Sequence, residues 1–318
     1  MLVTDKKYAA ADLASNIAPF LDAPDHLALR QALTAAFHAT LADAQAWIPK
    51  VAKDHVAQNT GRMVDLVSDI ARPFAYSVMA QFIGLPSDLK QLKSATQSFF
   101  HLFAPITDTA TFAQTDQGIA DARQFVASHI TKSPKNSFIG ALRDTGLSDA
   151  TVVDNANLFL ADGIENIEAA IVMAFRILSK QAAVMKDGTT LDAAILECLR
   201  LSSPAQIIAR VLREDTQLLG KMQPAGVPVF LALGSANLDP AAYANPLDFR
   251  LDRGVSPMLA FGQGRRSCIG RQLALLQIKA MLNALIAGSV TIDDIEEQVW
   301  VHRFGHRWPS CQTVQIPA

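Results

Sequence analysis

The stretch Phe261-Gly262-Gln263-Gly264-Arg265-Arg266-Ser267-Cys268-Ile269-Gly270 decides the fold class of this chain. It places Cys268 in a glycine-rich loop, directly before an apolar run that begins at Arg271 and predicts a helix. A helix N-terminus and nearby cations stabilise a thiolate, and glycines let the backbone approach a large flat group. A stretch of this kind can present a cysteinate as an axial ligand to a haem iron, and the alternative for a lone cysteine is an inert buried residue before a helix.

The composition is typical of a helix-rich globular protein. The 318 residues are 50% hydrophobic and carry a net charge of −2, which indicates no surface for nucleic acid. The cysteines Cys198, Cys268 and Cys311 form no disulfide framework or zinc spacing, which suits a reducing cytoplasm. The N-terminal residues contain no apolar run long enough for a signal peptide or membrane anchor. We expect a cytoplasmic protein without a membrane partner.

Helical periodicity dominates the chain before Pro204 and gives way to shorter apolar runs after it. Apolar residues have helical spacing from Leu27 to Phe37, and further helices are predicted at 41–58, 62–84, 87–104, 110–131, 149–181, 192–201 and 270–287. Short strands are predicted at 207–212 and 227–233, and edge strands at 299–302 and 313–316. These patterns predict one mainly α domain, residues 1–318, with a small β portion.

The order F-x-x-G-x-R-x-C-x-G is carried here by Phe261, Gly264, Arg266, Cys268 and Gly270. It resembles the haem-binding loop of the cytochrome P450 family. The resemblance implies a helical P450-like fold, haem b (iron protoporphyrin IX) as the cofactor and Cys268 as its metal ligand. It also implies that the other four residues contact the cofactor.

Three further segments resemble elements that hold the haem propionates in this family. Asp22-Ala23-Pro24-Asp25-His26-Leu27-Ala28-Leu29-Arg30 resembles D-x-P-x-H-x-x-x-R, in which His26 and Arg30 lie one helical turn apart. Arg210 precedes Glu214-Asp215 in a predicted strand, and Arg266 lies in the cysteine loop. Cationic donors for two carboxylates are what a buried haem requires. The implied propionate ligands are His26, Arg30, Arg210 and Arg266.

Glu197 and Arg200 lie three residues apart on a predicted helix and resemble the buried E-x-x-R pair of the family. The family usually completes this pair with an arginine from the following loop, and the matching position here holds Asp248. Arg250 or Arg253 can take that place, so the third partner stays open.

The segment Asp162-Gly163-Ile164-Glu165-Asn166 resembles the oxygen-binding segment of the family, and the resemblance implies a catalytic role for Asp162, Gly163, Glu165 and Asn166. Gly163 is expected to open a groove over the iron, and Glu165 to relay protons. Asn166 replaces the usual threonine and cannot relay a proton as a hydroxyl does. Asp162 replaces a small residue, and three interpretations stay open: contact with a basic substrate, a different proton path, or a local cap or salt bridge.

Only 24 residues precede Asp25, whereas the family has a longer N-terminal region before this element. We therefore expect an N-terminally truncated form of the fold. Three interpretations follow: an open pocket for a small-molecule or a carrier- or peptide-bound substrate, a protein partner that covers the missing region, or a relative without monooxygenase activity.

The resemblance implies a haem-thiolate monooxygenase that hydroxylates or oxidatively couples an organic substrate with dioxygen. The chain contains no flavin or nicotinamide fingerprint, so the electrons must come from an external ferredoxin- or flavodoxin-type partner. The alternative is a catalytically reduced P450-like module that binds haem, a ligand or a partner protein without turnover.

Overall fold

The computed structural model describes residue 5 and residues 7–103, 108–187, 190–253, 258–292 and 299–318. Its α-helices are α1 (Ala9–Ala14), α2 (Asp25–Ala57), α3 (Arg72–Ile83), α4 (Leu89–Thr96), α5 (Thr109–Ala127), α6 (Phe138–Arg143), α7 (Asp149–Leu178), α8 (Ala182–Asp187), α9 (Leu191–Leu201), α10 (Leu233–Ala236) and α11 (Arg271–Ala287). The mainly helical character predicted from the sequence is confirmed.

Helix α2 runs without interruption through the region where the sequence predicts two successive helices. Pro49 lies inside it, although proline removes a backbone donor and usually kinks a helix. Buried apolar residues on both sides of the proline, among them Leu33, Phe37 and Ala52, belong to the main core. Packing against α11 and α6 therefore keeps the helix continuous.

The prediction of one helix over 62–84 is wrong at its start. Residues Met63–Asp65 form strand β1, a short π-helix follows at Leu66–Ala71, and α3 begins at Arg72. The Asp65 carboxylate accepts hydrogen bonds from the amides of Val67 and Ser68, so it ends the strand and caps the helical turn.

The strands form three small antiparallel sheets. They are β2 (Ile207–Val211) with β5 (Pro228–Ala232), β3 (Thr216–Leu218) with β4 (Lys221–Gln223), and β1 with β7 (Thr313–Gln315) and β6 (Thr291–Ile292).

Two predictions for the tail are corrected. Strand β7 lies in the centre of its sheet rather than at an edge, because β1 and β6 flank it. Residues 299–302 form no strand and contribute only an isolated bridge between Trp300 and Pro309.

Helix α7 is the central element of the fold. The Ser148 side chain accepts a hydrogen bond from the Thr151 amide at 3.2 Å and caps the helix start, as predicted. The helix packs against α3, α5, α6, α9 and α11. Most residues of α7 are therefore buried inside the fold. Among the described helices none is long and apolar enough to cross a membrane.

Candidate active site

The cysteine loop is a tight turn that leads into α11. Gly262 and Gly264 have φ values of +63° and +71°, a region that favours glycine. The Cys268 amide donates a hydrogen bond to the Phe261 carbonyl at 2.8 Å and closes the loop. The Arg271 guanidinium lies 5.5 Å from the centre of the Phe261 ring. The loop thus holds Cys268 directly before the first turn of α11.

The Cys268 side chain is exposed although protein surrounds it, as expected for a thiol that borders an internal space. Burial, followed by the negative charge of Asp162, raises the pKa of this thiol to about 11. The Gly270 and Arg271 amides and the Arg30 charge act in the opposite direction. The predicted stabilisation of the thiolate is therefore present but smaller than the effect of burial, and metal coordination is what would deprotonate the sulfur.

Arg266 lies in the cysteine loop, and the other three predicted propionate ligands are connected to this loop by hydrogen bonds or charge. Arg30 on α2 donates to the Ser267 carbonyl at 2.6 Å, which connects α2 to the loop. His26 is buried, and within the described residues its ring has no hydrogen-bond partner. Burial, then the charges of Arg266 and Arg30, lowers the pKa of His26. Burial, then Arg266, likewise lowers the pKa of Arg210.

Arg266 has a different environment from the one that the sequence suggests. Its guanidinium donates to the backbone carbonyls of Ala18, Pro19 and Leu21 at 3.1, 3.0 and 2.5 Å. It also pairs with the Asp22 carboxylate at 3.3 Å. In this structure Arg266 therefore fastens the segment before α2 to the cysteine loop, while its charge still acts on His26 and Arg210.

Helix α7 contributes the opposite side of the site. The Asn166 side-chain amide donates to the Asp162 carbonyl at 3.0 Å, and its own carbonyl oxygen is buried without a partner in the part of the chain that the structure describes. The space beside Gly163 is not an open groove. A Cβ added there would lie 2.3 Å from the terminal carbon of Met79 on α3, so the glycine allows close contact of the two helices.

Glu165 is held by a residue that the sequence analysis did not single out. Its Oε1 accepts from the Arg303 guanidinium at 2.6 Å, whereas Oε2 is buried without a partner among the described residues. Burial raises the pKa of Glu165, although the Arg303 charge opposes this. The arginine lies in a tail loop without a recognisable motif, and no sequence signal pointed to it.

The Glu197–Arg200 pair is completed by Arg253. Arg200 donates twice to the Glu197 carboxylate, at 2.8 and 2.7 Å, and Arg253 donates to its Oε1 at 2.8 Å. The Arg250 amide adds a bond at 3.1 Å. Arg200 and Arg253 also donate to the Asp248 backbone carbonyl, so position 248 binds the two arginines through its backbone and not through its side chain. The open question of the third partner is thereby settled.

The residues present fit a haem group. Cys268 and Asp162 border the same internal space from two sides, since the Asp162 charge acts on the sulfur. His26 is buried, Arg30 is half-buried and Arg210 is exposed, and among the described residues none of the three binds a carboxylate. A flat group with a thiolate-bound metal and two carboxylates would bind the Cys268 sulfur and would also give these side chains carboxylate partners.

Comparison with known proteins agrees with this geometry. The family model "Cytochrome P450" matches residues 165–287. A biotin biosynthesis cytochrome P450 of Bacillus subtilis (strain 168) is 29% identical over 306 residues, 91% of this chain and 77% of that protein. A steroid C26-monooxygenase of Mycolicibacterium smegmatis is 28% identical over 235 residues, 70% of this chain and 59% of that protein.

Among solved structures, P450BioI in complex with hexadec-9Z-enoic acid ligated acyl carrier protein superposes with a TM-score of 0.90 at 27% identity. The superposition covers 98% of this chain and 85% of that one. The relative is therefore longer than the matched region, and the fold agrees over almost all of the present chain.

Proposed function

Because this chain belongs to the cytochrome P450 family, we propose that it is a haem-thiolate monooxygenase with haem b as its cofactor. The observation that carries this proposal is the accessible Cys268 sulfur, which faces an internal space bordered by Asp162 of α7. The cofactor supplies the activation of dioxygen, which a thiolate ligand promotes. The residues of the chain hold this cofactor, orient the substrate and position protons.

Cys268 is the proposed metal ligand, and Phe261, Gly264 and Gly270 shape its loop. A Cβ at Gly270 would be in ordinary van der Waals contact with the Cys268 sulfur, at 3.7 Å, so this glycine lies directly beside the proposed ligand. The separate group His26, Arg30 and Arg210 is proposed to bind the cofactor carboxylates, with Arg266 adding positive charge from a position fixed by backbone carbonyls.

Glu165 and Asn166 are the proposed proton-handling residues. Burial raises the pKa of Glu165, and Arg303 occupies Oε1, so Oε2 is the oxygen that we propose receives and passes on protons. Asn166 donates to the Asp162 carbonyl with its amide and offers a carbonyl oxygen that can accept a hydrogen bond but cannot relay a proton.

Electrons are proposed to come from an external ferredoxin- or flavodoxin-type protein in the cytoplasm, where reducing conditions preserve free cysteines. The substrate is an organic molecule that is free or bound to a carrier. The carrier-bound alternative is supported by the structural relative, which was solved with an acyl carrier protein. A protein partner that covers the N-terminal side of the fold is a further proposal.

The test is the absorption spectrum of the haem-loaded protein after reduction and exposure to carbon monoxide. A strongly red-shifted Soret band that disappears in Cys268→Ala, but persists in the matched control Cys311→Ala, is the expected result. A wild-type spectrum without this shift would contradict a thiolate-bound haem.

The alternative function is a module that binds haem without turnover, and the Asn166 position favours it because asparagine has no hydroxyl to donate. Product formation with a surrogate ferredoxin pair separates the two functions. Electron consumption that yields only hydrogen peroxide, and that turns into product formation in Asn166→Thr, would favour the module.

A further inference from the structure

The Asp162 carboxylate is a charge that the proposed chemistry does not use. Asp162 lies in the middle of α7 between the buried residues Ala161 and Ile164, yet its own side chain is exposed. Burial within the protein is the cause that raises its pKa to about 6. The carboxylate is thus open to an internal space and not to the outer surface.

The other inward-facing acids of α7 have partners from other elements. Asp154 binds Arg123 at 2.7 Å, and Glu165 binds Arg303 at 2.6 Å. Glu168 binds Arg72 at 2.7 Å. Within the described residues Asp162 has neither a hydrogen bond nor an ion pair through its carboxylate, and no cation offsets its burial. A local cap or salt bridge therefore does not account for this residue.

The position of the Asp162 carboxylate is indicated by its effect on the pKa of Cys268. After burial, Asp162 is the group that most strongly raises the pKa of the cysteine thiol. The Arg30 charge, which also acts on this thiol, is bound to the Ser267 carbonyl and not to Asp162. Asp162 and Cys268 consequently lie within electrostatic reach of each other. Under the proposed function, this is the side of α7 on which a substrate would lie against the cofactor.

A carboxylate withdrawn from water is costly unless a charged donor pairs with it. We propose that Asp162 binds a cationic, hydrogen-bond-donating group of the substrate, an ammonium or guanidinium group. Charge-assisted hydrogen bonds of this kind are about twice as strong as neutral ones. The inference rests on the proposed function for the identity of the space, and it narrows the substrate to molecules with a positively charged end.

Hexylguanidinium and its neutral isostere hexylurea are the probes, with binding to the haem-loaded protein measured by isothermal titration calorimetry. Guanidinium keeps its charge at all accessible pH values and offers a fork of donors. We expect the wild-type protein to bind hexylguanidinium at least tenfold more tightly than hexylurea, and Asp162→Asn to abolish this preference. Asp149→Asn, which removes an exposed charge from the start of the same helix, should keep it.

Equal affinity of the wild-type protein for both probes would overturn the proposal, as would a preference that survives in Asp162→Asn. A changed Soret band of ligand-free ferric Asp162→Asn would also overturn it, because the carboxylate would then act on the iron. Failure of the proposed function would give a different result, because the wild-type protein itself would then lack the red-shifted band with carbon monoxide.

Discussion

At the scale of single residues, the Glu197 carboxylate is a buried charge that is held by two arginine side chains and one backbone amide. It is 6% exposed and accepts hydrogen bonds from Arg200, Arg253 and the Arg250 amide. Replacing it by glutamine leaves two arginines facing a neutral group. We expect Glu197→Gln to lower the free energy of unfolding by about 3–5 kcal/mol in urea titrations.

The matched control is Asp252→Asn, because Asp252 binds Arg250 at 2.8 Å on the surface. An exposed pair contributes about 0–1 kcal/mol, so the control should remain close to wild type. Similar losses for both variants would contradict the assignment of a buried, stabilising carboxylate.

The same residue predicts a pH dependence. Burial acts to raise the pKa of Glu197, but the hydrogen bonds from Arg200 and Arg253 outweigh it, so the net pKa is lowered from 4.5. A carboxyl group whose pKa is lowered by folding stabilises the protein above its ordinary pKa and loses this effect as the pH falls through the folded value. The stability difference between wild type and Glu197→Gln should therefore shrink below a pH of about 4.5. A constant difference down to the acid transition would contradict this mechanism.

At the scale of elements, α7 and α3 approach each other at Gly163. A Cβ at this position would lie 2.3 Å from the terminal carbon and 2.7 Å from the sulfur of Met79. Met79 is 2% exposed, so it has little room to move. We expect Gly163→Ala to destabilise the protein by about 1–3 kcal/mol through overpacking, although alanine is the better helix former.

The control is the same substitution in a Met79→Ala background, with all four proteins compared by urea unfolding. Once the methionine is shortened, Gly163→Ala should be neutral or stabilise by about 0.5–1 kcal/mol. An equal loss in both backgrounds would mean that Met79 is not the obstacle, since no coupling between the positions would remain.

At the scale of the whole molecule, the cofactor is expected to join α2, β2 and the cysteine loop through charge. His26 and Arg30 lie on α2 and Arg210 lies on β2. A ligand that binds only the folded state stabilises it by about 2.7 kcal/mol at a free concentration 100 times its Kd. We expect haem to raise the urea midpoint in this concentration-dependent way.

The haem dimethyl ester is the matched control, because it keeps the ring and iron but lacks both negative charges. We expect it to bind at least tenfold more weakly than haem, which corresponds to about 1.4 kcal/mol. The difference should diminish in Arg210→Ala, whose guanidinium makes only a bond to the neighbouring Ala209 carbonyl in the described structure. Equal affinity for ester and acid would remove the proposed role of the cations.

Local patterns determined much of this protein. The cysteine loop, the Ser148 cap, most helices and the paired strands β2 and β5 follow from short-range periodicity and turn chemistry, and the structure contains them. The P450 family and its haem-thiolate chemistry were also readable, because a long motif combines glycine, arginine and cysteine in one order. The single-domain prediction and the roles of the individual site residues stay predictions.

Only the tertiary structure decided which distant groups meet. Arg303 reaches Glu165 across 138 positions, and Arg253 rather than Arg250 binds Glu197 with its side chain. Contacts between residues remote in the sequence also determine three other features: the central place of β7, the contact of Gly163 with Met79, and the lack of a partner for Asp162 among the described residues. A sequence pattern records what each residue can do within a few neighbours, whereas pairing and burial depend on the packing of elements that are remote in the chain.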